Sequence, residues 1–308
     1  MKDDLSGPFI ALLTPLDERG LQDEEDLRRM LDYYLGARVS GFLILGESSE
    51  RDRLSTSERE SNTRIVFEKA DKVPIIIGTG RESTQLTIEE SRKAESQGAS
   101  AVMVSPPRNP KLREQAIFDF FAAVGDSVSV PIIVQDFPQT DRPYMSPELL
   151  ARIHHEVRNA KYLKLEDAPT PVKIAKVRAL AGETLKVFGA LYGRDAFWDL
   201  EQGAVGIMTA TATPEYLVEM LGAYRSGNRK RALDIYLYTL PLVYFLIDVS
   251  LAVRKQILVE RGVIKTARMK QPAVELTALA RKELAETLSW VERHTSEDLG
   301  IRPLRPAR

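Results

Sequence analysis

The stretch NAKYLKLEDAPTP (residues 159–171) reads as a strand running into a helix start. Side chains alternate along a strand, so Leu163 and Leu165 share one face and Tyr162, Lys164 and Glu166 the other. A lysine in mid-strand is costly to bury unless it is paired or neutralised. The direction in which its face looks therefore matters for fold and chemistry alike. The same strand-then-helix unit recurs along the chain. Short apolar, β-rich runs stand at FIALLTP (9–15), GFLILG (41–46), PIIIGTG (74–80), AVMVSPP (101–107), PIIVQDFP (131–138), KYLKLED (161–167), LKVFGAL (185–191) and AVGIMTA (204–210). Between them, segments such as DEEDLRRMLDYYLGA and TSERESNTRIVFEKA repeat apolar residues at three- and four-residue steps, with acids in their first turns.

Alternating strands and helices imply a parallel sheet, and continuously apolar strands imply burial on both faces. Eight such units in about 220 residues fit an α/β fold of the closed (β/α)8, or TIM-barrel, type. The rival is a doubly wound open sheet, which often carries a glycine-rich fingerprint after its first strand; FIALLTPLDERG has none. The expected organisation is a barrel over 1–226 that carries the active site, followed by a C-terminal helical region over 227–308. Within that region the apolar run IYLYTLPLVYFLI (235–247) is expected to be one buried core helix, and the tail GIRPLRPAR is expected to fray.

The composition is that of an ordinary soluble globular protein: 308 residues, net charge −1, 44% hydrophobic and 28% charged. Near-neutral charge gives no electrostatic case for nucleic acid or an anionic membrane. The absence of cysteine removes disulfides, thiolate nucleophiles and Cys-ligated metals. The three histidines, His154, His155 and His294, are scattered, so no metal site is expected. The opening MKDDLSGPFIALLTP is acidic with a short apolar run and does not read as a signal peptide. The apolar run at 235–247 contains a proline and is shorter than the roughly 17–25 residues of a spanning helix. A cytoplasmic protein is the expectation.

In a barrel, the leucine face of KYLKLED packs against the outer helices. Lys164 then points inward, with Glu166 near the strand's C-terminal end, where barrels of this type keep their active sites. Burial favours a neutral amine, and a neutral amine in a pocket attacks carbonyls. The alternative is a structural ion pair between Lys164 and Glu166 or another carboxylate. Both readings stand on pattern alone.

Several segments, in order, resemble the dihydrodipicolinate synthase / N-acetylneuraminate lyase family of Schiff-base-forming lyases. GPFIALLTPLDERGLQDEEDLRRMLDYYL is similar to the family opening. GFLILGESSERDRLSTSER is similar to the G-T-T-G-E segment with its following L-[ST]-x-x-E-R. VPIIIGTGRESTQLTI, GASAVMVSPPRNP and PIIVQDFP correspond to the third, fourth and fifth strands. YLKLED corresponds to the segment carrying the Schiff-base lysine, FGALYGRDAFWDLEQGAVGIMTA to the seventh and eighth strands, and KQILVERGVIKTARMKQP to the C-terminal pattern.

The resemblance implies that Lys164 forms an imine with pyruvate or another 2-keto acid. No cofactor is needed beyond that covalent bond. It also implies that the loop Gly46–Ser49 binds the keto acid's carboxylate, through Ser48 and Ser49, and that Gly189 and Met208 line the substrate site. Several positions depart from the family pattern. Gln135 stands where the fifth strand has a proton-shuttling tyrosine; an amide is neither acid nor base near neutral pH, so the catalytic part expected of Gln135 is to orient a substrate hydroxyl, the alternative being that it fills the gap left by the tyrosine. Glu47 replaces the first threonine of the G-T-T pattern, Ser48 the second, and Ser49 the following glycine, while Glu50 matches the glutamate. Pro107 and Arg108 replace a tyrosine pair. Thr140, with Arg142 two residues on, stands where the synthase has the arginine for its second substrate. These changes remove the synthase's proton relay and argue against dihydrodipicolinate synthesis itself.

The expected replacement acid/base is Glu47, followed by Glu166 and Asp136, because a glutamate with a raised pKa can serve at neutral pH. The alternative for Glu47 is a loop carboxylate bonded to the local backbone or to Arg51. Arg108 and Arg142 are candidates for gripping a distal carboxylate. The expected activity is that of a class I lyase or aldolase making or breaking a C–C bond, or removing water, next to the imine. The alternatives are a catalytically weakened member that binds a 2-keto acid as a sensor or regulatory protein, and a carboxylate–metal lyase using Glu47, Asp136 and Glu166. By resemblance the chain is expected to form a homodimer or homotetramer.

Overall fold

In the computed structural model, which describes residues 5–306, eight parallel strands close into a barrel in the order β1 to β8. The strands are β1 (Gly7–Ala11), β2 (Gly41–Ile44), β3 (Ile75–Gly78), β4 (Ala101–Val104), β5 (Ile132–Asp136), β6 (Ala160–Leu165), β7 (Lys186–Gly189) and β8 (Gly206–Thr209). Six lie inside a run expected to be a strand, while β1 and β6 overlap theirs and begin two residues and one residue earlier; all are shorter, because the run's last residues turn into the following loop. The barrel helices are α1 (Glu24–Gly36), α2 (Thr56–Lys69), α3 (Thr84–Ser96), α4 (Glu114–Gly125), α5 (Pro147–Glu156), α6 (Thr170–Ala181), α7 (Ala196–Glu201) and α8 (Pro214–Arg225). Beyond them come α9 (Arg229–Tyr244), α10 (Leu246–Glu260) and α11 (Ala278–Leu299). Polar caps set several starts. Ser55 and Glu58 form a reciprocal capping box at α2, and Ser83, Ser146 and Thr277 accept a backbone N–H at α3, α5 and α11. No helix among the described residues is long and apolar enough to cross a membrane.

The backbone packs as two compact units. The first holds the residues before Gly7 together with Pro74–Met208, which includes β3 to β7 and most of β8. Here the register places Gln135 beside Lys164, and Lys164 beside Phe188. Asp136, Leu165 and Gly189 form the next row. Paired residues of a sheet point the same way, and successive residues point opposite ways. Asp136 meets Lys173 of α6, and a Cβ added at Gly189 would lie 2.8 Å from the Cβ of Asp199 in α7. That row therefore faces the helices, and the Gln135–Lys164–Phe188 row faces the barrel interior. Tyr162, two residues before Lys164, also points inward; its hydroxyl accepts the Leu5 N–H at 3.1 Å.

The second unit holds Gly7–Val73 and the chain from Thr209 onward, so α8 to α11 pack in the same unit as β1 and β2. Glu50, in the loop after β2, is stapled to Lys255 of α10 at 2.6 Å, with both side chains almost fully buried. Lys255 also donates to the Arg268 carbonyl at 2.7 Å, and Glu50 accepts the Lys270 N–H at 2.8 Å.

Two expectations for this region are corrected. The run 235–247 is not one buried helix: the helix breaks at Phe245, between α9 and α10. Ile235, Tyr236 and Leu242 are buried, while Leu237 and Tyr244 are exposed, so α9 presents one apolar face inward and one outward. The side chains of residues 246 and 247 lie outside the described residues. The tail does not fray over 301–306. Gly300 takes the left-handed conformation that ends α11, Ile301 is buried, and Arg305 pairs with Glu292 at 2.8 Å.

Candidate active site

Lys164 is the next-to-last residue of β6, and its side chain is only 7% exposed. Its Nζ lies 3.1 Å from Oε2 of Glu166, itself 8% exposed. That oxygen also accepts from Nε2 of Gln135 at 2.7 Å, and Oε1 of Gln135 accepts from the Ser105 hydroxyl at 2.6 Å. An ionised carboxylate only accepts hydrogen bonds, so the amide must present its NH2 to Glu166 and its oxygen to Ser105. Three adjacent strands build this chain. Ser105 follows the end of β4, Gln135 is next to last in β5, and Glu166 lies just beyond β6. All sit toward the carboxyl ends of the strands, where barrel active sites form.

On the opposite side of the same wall, the Lys173 ammonium bridges Asp136 Oδ2 at 2.7 Å and Asp167 Oδ2 at 2.8 Å. Burial pushes the Asp136 carboxyl up to about 6, against the opposing pull of Lys173. Asp136 and Glu166 thus point to opposite faces of the wall. This corrects two expectations at once: Asp136 is not a proton carrier beside Lys164, and it does not share a metal site with Glu166. Among the described residues no group of three or more metal-ligating side chains occurs.

The loop after β2 belongs to the second unit. It is bracketed by two residues in left-handed conformation, Leu45 (φ 53) and Glu50 (φ 56). Ser49 is buried; its hydroxyl donates to the Leu12 carbonyl at 2.7 Å, its N–H bonds Gly46, and its own carbonyl accepts from Thr14 at 2.8 Å. Both donors of Ser49 are therefore engaged within the loop's own scaffold, unlike the ligand role expected of it. Ser48 differs: neither its hydroxyl nor its N–H bonds any described residue. Glu47 is half-buried in the same short turn.

Arg108 lies in a partly exposed ion pair, its N–H donating to Glu82 at 2.7 Å. Arg142 is buried and folds back on its own loop, donating to the Thr140 hydroxyl at 2.8 Å. Gly189 has a structural explanation, since the space a side chain would need is filled by Asp199. Met208 is fully buried in β8. His154 bonds the Ala160 carbonyl at 2.8 Å and the Thr184 hydroxyl at 2.9 Å. Sequence reasoning missed Ser105. Only the observed pairing of the two strands reveals it, setting Ser105 one residue past the Val104–Val134 pair and beside Gln135.

Residues 4–291 match the family model described as the dihydrodipicolinate synthetase family. The chain belongs to that family. Membership makes it a lyase of the class I aldolase type. Among its curated relatives, the L-2-keto-3-deoxyarabonate dehydratase of Azospirillum brasilense is 32% identical over 90% of this chain and 92% of its own. The 4-hydroxy-tetrahydrodipicolinate synthase of Methanothrix thermoacetophila is 30% identical over 77% of this chain and 80% of its own. Among solved structures, the dihydrodipicolinate synthase of Rhodopseudomonas palustris superposes with a TM-score of 0.87 at 27% identity, covering 93% of this chain and 97% of that one.

Proposed function

We propose that the protein is a Schiff-base dehydratase in which Lys164 condenses with the keto group of a 2-keto-3-deoxy sugar acid. The observation that carries this reading is the buried Lys164–Glu166 pair, held by Gln135 at the position where the synthase pattern has its relay tyrosine. The likeness to a keto-deoxy-sugar-acid dehydratase across 90% of the chain supports the substrate class.

The chemistry follows from the pair. Transfer of one proton from the Lys164 ammonium to the Glu166 carboxylate leaves a neutral amine beside a neutral acid, with no net change in buried charge. The amine attacks C2 of the keto acid, and the carbonyl oxygen leaves as water, giving the imine. The protonated imine draws electrons from C3, so Glu166, ionised again, removes a C3 proton and an enamine forms. The enamine expels the C4 hydroxyl, which takes a proton from Glu166 and departs as water. Hydrolysis of the imine then frees Lys164 and a product poorer than the substrate by one water. Gln135 orients Glu166 throughout. In this reading Glu166 takes the acid/base role first expected of Glu47.

Borohydride trapping tests the reading. The protein is incubated with pyruvate and, separately, with 2-keto-3-deoxy-pentonates and -hexonates, reduced, and mapped by peptide mass. The expected result is a reduced adduct on Lys164, together with product lighter by one water from at least one sugar acid. An adduct without turnover on any sugar acid moves the protein to the keto-acid-binding alternative, and no adduct at all ends the imine reading. The same reading takes the chain as a cytoplasmic homodimer or homotetramer, for which sedimentation velocity gives the mass.

A further inference from the structure

The ends of β5 and β6 are tied together twice, once on each face of the barrel wall. Inside, Gln135 donates to Glu166 at 2.7 Å. Outside, Lys173 bridges Asp136 at 2.7 Å and Asp167 at 2.8 Å. Asp136 directly follows Gln135 in the chain and Asp167 directly follows Glu166, so each outer carboxylate is one peptide from an inner partner. The backbone joins the two ties, because the Glu166 N–H donates to the Asp136 carbonyl at 2.9 Å. The ammonium that closes the outer tie is buried, and the ring of Tyr144, from the loop between β5 and α5, lies against it with its centroid 4.4 Å from Nζ.

We infer that Lys173 is a positioning residue: by holding Asp136 and Asp167 on the outer face, it sets the spacing at which Gln135 presses Glu166 against Lys164. This inference rests on the imine reading for its kinetic consequence and on the geometry alone for its structural one. Two carboxylates sharing one ammonium are close neighbours, and without the cation they repel in surroundings that screen poorly. The site needs its cation because burial already works against charge on Asp136. If Lys173 is removed, the pair either repels or takes up a proton. Both outcomes release the outer tie and leave the strand ends held only by the Glu166 N–H to Asp136 carbonyl bond and by the Gln135–Glu166 contact. A shift of about 1 Å in a reacting group can cost about a hundredfold in rate. Lys173 stands on the helix side of the wall and touches no reacting atom, so it acts through the position of Glu166: proton transfer slows, while the final extent of imine trapping on Lys164 stays that of the parent.

The test uses the full chain with Lys173→Met, Lys173→Arg and Asp167→Asn. Lys173→Met is expected to trap pyruvate on Lys164 to the same final extent as the parent, with kcat lowered by about tenfold to a hundredfold and KM little changed. Its crystal structure is expected to show Gln135 and Glu166 beyond hydrogen-bond distance. Lys173→Arg is expected to restore most of kcat, since a guanidinium can also span two carboxylates. The inference is overturned by a folded Lys173→Met protein with parental kcat, by a kcat loss that merely follows the folded fraction and is not rescued by arginine, or by an unchanged Gln135–Glu166 bond. If Lys173→Met does not fold, Asp167→Asn decides: a fall in kcat at constant KM supports the inference, and parental kcat overturns it. If the parent traps no keto acid, the imine reading fails, while the crystallographic comparison still decides the positioning role.

Discussion

Replacing Glu166 by glutamine separates the two steps assigned to the Lys164 pair. The substitution is nearly isosteric. The new side-chain oxygen can still accept from Gln135 Nε2, a bond of 2.7 Å in the parent, so the Ser105–Gln135 arrangement has no reason to rebuild. What disappears is the ability to take and return a proton 3.1 Å from the reacting nitrogen. A well-placed general acid/base contributes about 10²–10⁴-fold to rate, so kcat for dehydration is expected to fall by that factor, or about 3–5 kcal/mol in the barrier. The nucleophile keeps its place but loses its neighbouring proton acceptor, so borohydride reduction with pyruvate is expected to label Lys164 more slowly, yet to reach the parent's extent at long incubation, when water takes the ammonium's proton. The assay runs both readouts on the same preparation: intact mass after reduction, and product formation at saturating substrate. Dehydration within about tenfold of the parent would show that Glu166 carries no proton in the slow step. Loss of trapping together with turnover, in folded protein, would show that its part is to organise the nucleophile. Either result refutes the assignment.

Three further substitutions follow from buried contacts. Gly189→Ala places a methyl against the Asp199 side chain; overpacking of this kind costs about 1–3 kcal/mol, read as a lower urea midpoint, and Asp199→Ala in the same chain is expected to recover part of it. Asp199 itself makes stability depend on pH. Burial raises its folded pKa to about 7 from an ordinary 3.8, so the folded protein keeps a proton that the unfolded chain releases. Its contribution is complete below about pH 4 and is lost as pH rises toward 7. Thermal unfolding of the parent and of Asp199→Asn should therefore diverge over that window in favour of asparagine; parallel curves would contradict the assignment. Lys255→Met strips the cation from Glu50, whose carboxylate is almost fully buried 2.6 Å away. An orphaned buried charge costs about 3–5 kcal/mol, visible as a lower Tm, and adding Glu50→Gln is expected to return part of the loss.

The eight strands, the barrel and the inward lysine were legible because each depends on local periodicity. Lys164 and Glu166 share a face by alternation within β6, and that needs no partner strand. The contacts that give them meaning were not legible in the same way. Whether Gln135 fills a gap or grips Glu166 depends on the register between β5 and β6, which is set by packing across the wall. Ser105 is hidden for the same reason. The outward turn of Asp136 did lie within reach, since it follows an inward Gln135 and must point away from it. The staple between Glu50 and Lys255 joins residues 205 positions apart, and periodicity carries no information at that distance. The break at Phe245 was masked by the uniform apolarity of the run around it, which hides where one helix ends and the next begins.

Gln135 also sets the direction in which protons can travel. A hydroxyl donates to its oxygen and its nitrogen donates to Glu166, so hydrogen bonds run continuously from Ser105 to the lysine pair. A side-chain amide relays no proton along such a line. The arrangement is a conductor with an insulating link: it transmits position and blocks current. Along this line no proton reaches Glu166 from Ser105, so in the proposed dehydration the proton taken from C3 is the one returned to the departing hydroxyl. A tyrosine at residue 135 would open the line, favouring reactions that must draw a proton from elsewhere. The amide keeps the traffic local, which suits a reaction that gives back, one carbon along, the proton it has just removed.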